Sequence, residues 1–307
     1  MIDFLQTTEG VITAASVYLL IGLAWNLVFN ACGYLNLAIG EFFILGAMFS
    51  YRFETSWGIT SPWLVGPLTV LAVGIIGLLA ERLLLRPLKD RGLPPLVVTI
   101  GIALVLLQLA NLLSSAIAVR PNVFIVGGIA PGNVHIAYQE LVVWGTAAIV
   151  GAGFVLFFKR TDLGRTLRAC VDNRVGAETL GIRVATYATA AFTVSAMLAA
   201  LAGFVITPTE GVSYNSGDFI AIKAFMAVSV MGVGRNGGAV AGAFLVAALE
   251  GYLSRYVSPN TADVVVLIGF VVILCTYAMR SEGRSVLPYW MRLRREAATV
   301  DGLESAG

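Results

Sequence analysis

The sequence predicts an all-α integral membrane protein of about eight or nine transmembrane helices, and three observations carry that prediction. Of 307 residues, 58% are hydrophobic and only 12% charged, with a mean hydropathy of +0.86. A soluble domain carries about 25% charged residues, so this chain has too few to clothe a water-facing surface. Apolar stretches close to the roughly 20 residues needed to cross hydrocarbon recur along the whole length. The basic residues are concentrated in alternate connections between those stretches.

Candidate spans fall at 11–30, 33–51, 62–81, 96–117, 139–158, 185–207, 219–233, 238–255 and 262–279. The opening residues carry Asp3 and Glu9 and no basic cluster, so the first run reads as a span and not as a cleaved leader. Two segments are weak. The stretch 33–51 contains Glu41, and 219–233 is short and contains Lys223. A broken or re-entrant course for either is tolerated only where neighbouring helices shield the backbone.

Charge orients the set. Arg82, Arg86, Lys89 and Arg91 fill one connection, and Lys159, Arg160, Arg165, Arg168, Arg174 and Arg183 fill another. Arg235 lies between the spans at 219–233 and 238–255, and Arg280, Arg284, Arg292, Arg294 and Arg295 follow the last span. The alternate connections hold only Arg52, Arg120 and Arg255. The positive-inside rule then places the N-terminus outside and the C-terminus in the cytoplasm. This yields one transmembrane domain, 1–280, and a cytoplasmic tail, 281–307. In the tail, Val286, Leu287, Tyr289, Trp290, Met291 and Leu293 among arginines suit a short interfacial helix as well as a solvated end.

The alternation relates the first half, 11–117, to the second, 185–279, by inversion, with 139–158 as the linking span. Ala38-Ile39-Gly40-Glu41-Phe42 resembles Ala221-Ile222-Lys223-Ala224-Phe225, and these lie in the two weak spans. Transporters with inverted repeats place the pathway at the repeat interface, on interrupted helices.

Several chemistries are excluded. One histidine, His135, rules out a multi-histidine metal site. Cys32, Cys170 and Cys275 are widely spaced and read as neither a disulfide framework nor a zinc site. The run Gly232 to Gly238 lacks the lysine and spacing of a phosphate loop, so any ATP hydrolysis belongs to another chain. No cofactor is expected on this one.

Charges inside spans are expensive and must face protein, water or a partner. Glu41 and Lys223 are therefore expected to approach one another near a pathway, with local packing as the alternative role. Glu250, near the end of its span, reads as structural. Asn36, Gln108 and Asn111 are candidate pathway residues, and Asn26 and Asn30 join them as polar groups, interhelical glue being the commoner role of such residues. Gly74, Gly77, Gly234, Gly238 and Gly242 sit at spacings that let helices approach closely. The stretch 159–183 is too long for a turn. Asp172 as a cap, Arg174 to Leu180 as a helix and Gly181 as its stop predict a short cytoplasmic helix with a small-residue patch, suited to docking on another protein.

Four ordered blocks resemble the branched-chain amino acid and urea-type ABC importer permeases. They are Gly33-Tyr34-Leu35-Asn36-Leu37-Ala38-Ile39-Gly40-Glu41-Phe42; Arg86-Pro87-Leu88 with Thr99-Ile100-Gly101 and Gln108; Gly164-Arg165, Arg168-Ala169-Cys170 and Leu180-Gly181-Ile182; and Lys223-Ala224-Phe225 with Gly232 and Gly238-Ala239. Ile39 departs from the pattern, standing where such permeases usually carry histidine. The resemblance implies a second permease as partner, two cytoplasmic ATPases holding ATP and magnesium, and an external solute-binding protein. It implies an inner-membrane location, amino acids, urea, amides or aromatic acids as cargo, and ATPase coupling through Arg165, Arg168, Gly176, Glu178 and Gly181. An ion-gradient-driven transporter, a passive channel and a non-conducting scaffold subunit are the rival readings.

Overall fold

In the computed structural model, residues 2–90, 94–114, 118–122, 124–129, 136–172, 174–232, 234 and 236–281 are described. They divide into one unit up to Ala262 and a second from Asp263 onward. The helices are α1 (Ile2–Cys32), α2 (Ile39–Thr55), α3 (Pro62–Ala80), a π-helical turn (Glu81–Leu85), α4 (Arg86–Asp90), α5 (Pro95–Ser114), α6 (Tyr138–Arg160), α7 (Asp162–Asp172), α8 (Arg174–Thr179), α9 (Val184–Glu210), α10 (Gly217–Val230), α11 (Asn236–Tyr256) and α12 (Pro259–Ser281). A two-stranded antiparallel hairpin, β1 (Gly128–Ile129) and β2 (Ile136–Ala137), precedes α6. The interfacial helix expected at 286–293 lies outside the described residues.

Among the described residues, six helices are long and apolar enough to cross a membrane, which makes this a multi-pass membrane protein. The expected spans correspond closely to observed helices, with shifted ends. Helix α2 has 17 residues and α10 has 14. At 1.5 Å per residue they extend about 25 and 21 Å, short of the ~30 Å hydrocarbon thickness.

The core is built on α1 and α9. Helix α1 packs against α6, α9, α10 and α11, and α9 packs against α1, α2, α3 and α6. By contrast α5 and α6 present Val105, Leu112, Ile149 and Leu156 outward, the side a bilayer would cover. Small residues let the inner helices approach until backbone meets backbone. A Cβ on Gly203 of α9 would collide with the Phe43 carbonyl of α2, and one on Gly46 of α2 with the Ala200 carbonyl of α9. Gly74 and Gly77 receive Met197 and Ala196 in the same way along α3. Without a hydrophobic drive between helices in lipid, such close packing supplies the association energy.

Polar side chains tie down helix ends. Asn26 Oδ1 accepts from the Gly234 N–H at 2.8 Å, and Asn30 Nδ2 donates to the Gly234 carbonyl at 3.1 Å. Two asparagines one helical turn apart on α1 thus grip the connection between α10 and α11, which is the glue role expected of them. Arg52 donates to the carbonyls of Leu112 and Leu113 at the end of α5, and Arg120 to those of Pro208 and Thr209 at the end of α9. Arg52 and Arg120 lie outside the basic clusters and satisfy carbonyls that a helix leaves without partners.

Candidate functional site

Two chain reversals build the site. Helix α1 ends at Gly33 with φ +72°, and α9 ends at Gly211 with φ +64°, a conformation that glycine adopts without a Cβ clash. Each reversal leads through a few non-helical residues into a short helix. In the first, Asn36 Oδ1 accepts from the Ala38 N–H at 3.0 Å, and the Leu37 N–H donates to Thr99 Oγ1 of α5 at 3.3 Å. These bonds hold 33–38 in a non-helical bend and turn, and α2 starts at Ile39 and not at the Gly33 expected from hydropathy.

The two short helices touch where they begin. A Cβ on Gly40 would lie 2.6 Å from the Gly217 carbonyl oxygen, and one on Gly217 would lie 2.7 Å from the Gly40 carbonyl oxygen. This reciprocal contact places the next residue of each helix, Glu41 and Asp218, in the same cavity of about 430 Å³. Trp25 of α1, Leu104 and Leu107 of α5 and Phe225 of α10 form much of its apolar wall. Glu41 is 2% exposed and Trp25 3% exposed. Neither Glu41 Oε2 nor Trp25 Nε1 has a hydrogen-bond partner among the described residues. Buried polar atoms are normally satisfied, so a pair of orphans in one cavity marks a place prepared for something else.

Lys223 does not pair with Glu41. Its Nζ donates to Glu250 Oε1 of α11 at 2.7 Å, while Glu250 Oε2 accepts from the Tyr18 hydroxyl of α1 at 2.6 Å. Five residues separate Lys223 from Asp218, about 140° around a helix, which turns the lysine from the cavity toward α11. Glu250 thus ties α10 and α1 to α11. Lys223→Met is expected to destabilise by about 3 kcal/mol, because it strands a largely buried carboxylate. Lys223→Met combined with Glu250→Leu should recover most of that loss in thermal unfolding of the detergent-solubilised chain, whereas equal loss in both would refute the pairing.

Gln108 is exposed and Asn111 half-buried on α5, and neither lines the cavity. Asn36 is fully buried and holds the entry to α2 with its oxygen, while its Nδ2 is unsatisfied. Asp218, Trp25 and Phe225 were missed at the sequence level. The triplet Gly40-Glu41-Phe42 recurs as Gly217-Asp218-Phe219, and that signal would have found Asp218.

The stretch 159–183 forms a second feature. It holds two helices, where one was expected. Helix α7 follows Thr161, whose Oγ1 accepts from the Gly164 N–H at 3.1 Å, and Asp172, expected as a cap for α8, is its last residue. Leu163, Leu167 and Cys170 are spaced for one helical face, and of these Leu167 and Cys170 are buried. Arg168 donates to the Phe158 carbonyl and lies 5.7 Å over the Phe158 ring, fastening α7 to α6. Arg165 pairs with Asp162 at 3.2 Å on the open surface, an interaction worth little.

Helix α8 stops where predicted. The Gly181 N–H donates to the Glu178 carbonyl at 3.0 Å and the Ile182 N–H to that of Ala177 at 3.1 Å, with Gly181 at φ +80°. This is the paired end-cap of a helix whose following residue folds back on its last turn. Ile182 packs against Cys170, Ala177 and Val184 accordingly. Burial pushes the Cys170 thiol up from its ordinary value, which leaves it a poor nucleophile. Gly176 is half-buried, Glu178 and Gly181 are exposed, and Leu180 stands out at 82% exposed.

Two short helices meeting at a buried carboxylate, one oxygen of which has no partner among the described residues, inside an apolar multi-pass bundle suit a membrane transporter. The chain belongs to the family described as branched-chain amino acid transport system / permease component, which matches residues 7–275. It is 27% identical to the high-affinity branched-chain amino acid transport system permease protein LivH of Salmonella typhimurium, over 92% of this chain and 96% of that one. It is 31% identical to the high-affinity branched-chain amino acid transport system permease protein BraD of Pseudomonas aeruginosa, over 85% and 90%. It is also 26% identical to the fructose import permease protein FrcC of Rhizobium meliloti, over 83% and 72%. No solved structure gives a significant match.

Proposed function

We propose that this chain is one of two permease subunits of an ATP-driven importer of the inner membrane, and that its cargo is an amino acid or a similarly small polar nutrient. The carrying observation is the junction of α2 and α10, where Glu41 faces a cavity with an oxygen unsatisfied. Nine crossings, with the N-terminus outside and the C-terminus in the cytoplasm, fit the basic connections. An inverted repeat fits the matched reversals at Gly33 and Gly211 and the Gly–acid–Phe starts of α2 and α10. That register differs from the one read from Ala38 to Phe42 against Ala221 to Phe225.

The ATP would be bound and split by two partner ATPases gripping α7 and α8, with Arg165, Arg168, Gly176, Glu178 and Gly181 in the coupling element. Leu180 gives this element an exposed apolar tip, and the Arg168 and Ile182 contacts bind it to α6 and α9, so a push on it reaches the bundle. An external binding protein would deliver cargo, and the bundle would then open alternately to either side of the membrane around the cavity. This chain does no bond chemistry in that cycle. Lys223, bonded to Glu250, holds α10 in place outside the cavity lining. Gln108 and Asn111 lie on a helix face suited to the second permease.

Reconstitution with the cognate ATPases and binding protein tests the reading. Uptake should fall to background when the ATPases carry an inactivating substitution. Uptake that persists on an ion gradient alone would instead favour a secondary transporter, and two-way flux without binding protein a channel.

A further inference from the structure

The geometry points to a ligand whose ammonium group is its obligatory anchor, held by Glu41 and Asp218, and whose carboxylate, if it has one, is dispensable. The inference rests on reading this cavity as the pathway. Glu41 and Asp218 bring two acids to one wall, and none of the described lining residues is basic. Lys223, on the same helix as Asp218, is committed to Glu250 at 2.7 Å. A ligand carboxylate therefore finds no counter-charge here, whereas a ligand cation finds a pair of carboxyl groups.

The remaining surface agrees. Trp25 and Phe225 both line the cavity, with ring centroids 5.2 Å apart, and aromatic faces attract an ammonium. The unpartnered, buried Trp25 Nε1 is an independent sign of a ligand, because an indole N–H in that setting normally meets an acceptor. It asks for an oxygen, and a neutral amide or hydroxyl oxygen supplies that as well as a carboxylate. Leu104, Leu107 and Ile222 provide an aliphatic wall for the rest of the molecule. The ligand class is a primary amine with an aliphatic body and an oxygen acceptor.

The test is thermal unfolding of the full chain in lipid nanodiscs with four probes of similar shape: 3-methylbutylamine, leucinamide, 4-methyl-2-oxopentanoate and 3-methylbutan-1-ol. The amine and the amide should raise the midpoint, and the oxo acid and the alcohol should not. Glu41→Gln should weaken binding of the amine by at least about tenfold. Asp218→Asn, on an exposed residue whose change leaves the fold intact, should weaken it in the same direction. The inference is overturned if the oxo acid or the alcohol stabilises as well as the amine, or if neither substitution weakens the amine. Should the oxo acid win while ATP-driven uptake still depends on Glu41, the pathway stands and the ammonium anchor falls. Should no probe bind and uptake survive Glu41→Gln, the cavity is not the pathway and both readings fall.

Discussion

Gly40→Val is expected to reduce uptake roughly 100-fold and to lower the unfolding midpoint, as displacement of a site by about 1 Å commonly does. The added side chain has nowhere to go. Its Cβ alone would stand 2.6 Å from the Gly217 carbonyl oxygen and 2.8 Å from the carbonyl carbon, and backbone cannot rotate aside as a flexible side chain would. The helices must separate, at a cost of about 1–3 kcal/mol or more for overpacking. Separation carries Glu41 and Asp218 apart, since each is the next residue after the touching glycine. The mirror-image variant Gly217→Val should behave alike, because its Cβ would lie 2.7 Å from both the Gly40 oxygen and Ile44 Cγ1. Uptake rates and unfolding curves of both variants check this, and wild-type behaviour in either would remove the junction from the account.

Glu41→Gln should also lower uptake by about 100-fold, but with the opposite effect on the fold. A buried carboxylate without a full set of partners is costly, and its neutral isostere is less so. The unfolding midpoint should therefore stay level or rise while transport fails. Loss of both together would mean that Glu41 serves packing, the alternative role left open for it by the sequence. A buried charge that works against stability is the expected mark of a binding group.

The sequence was legible where one-dimensional signals suffice. Hydropathy located the helices, and Gly181 stopped α8 by the geometry that only a left-handed residue provides there. Asn26 and Asn30 bond the Gly234 backbone across helices, the commoner role for such groups. What failed depended on which way a helix faces. The sequence leaves Lys223 either beside Glu41 or in local packing, and a rotation of about 140° from Asp218 takes it to Glu250. Asp218 was lost because hydropathy began its span at residue 219, beyond the helix start at Gly217. Glu81, 4% exposed, accepts from Thr189 Oγ1 at 2.7 Å at the start of a π-helical turn, and nothing in the local pattern announces that turn. Helix α7 did leave a signal, in Leu163, Leu167 and Cys170, but the density of basic residues around it reads first as a loop.

The most direct measurement is thiol labelling of Ala221→Cys in a chain whose Cys32, Cys170 and Cys275 are serine. Ala221 lines the cavity and is 6% exposed, so a charged, membrane-impermeant reagent reaches it only through water between α2 and α10. The account predicts that the cysteine is modified in the assembled importer and that saturating cargo protects it. A residue that stays unlabelled in every nucleotide state, or that labels equally with and without cargo, would contradict it.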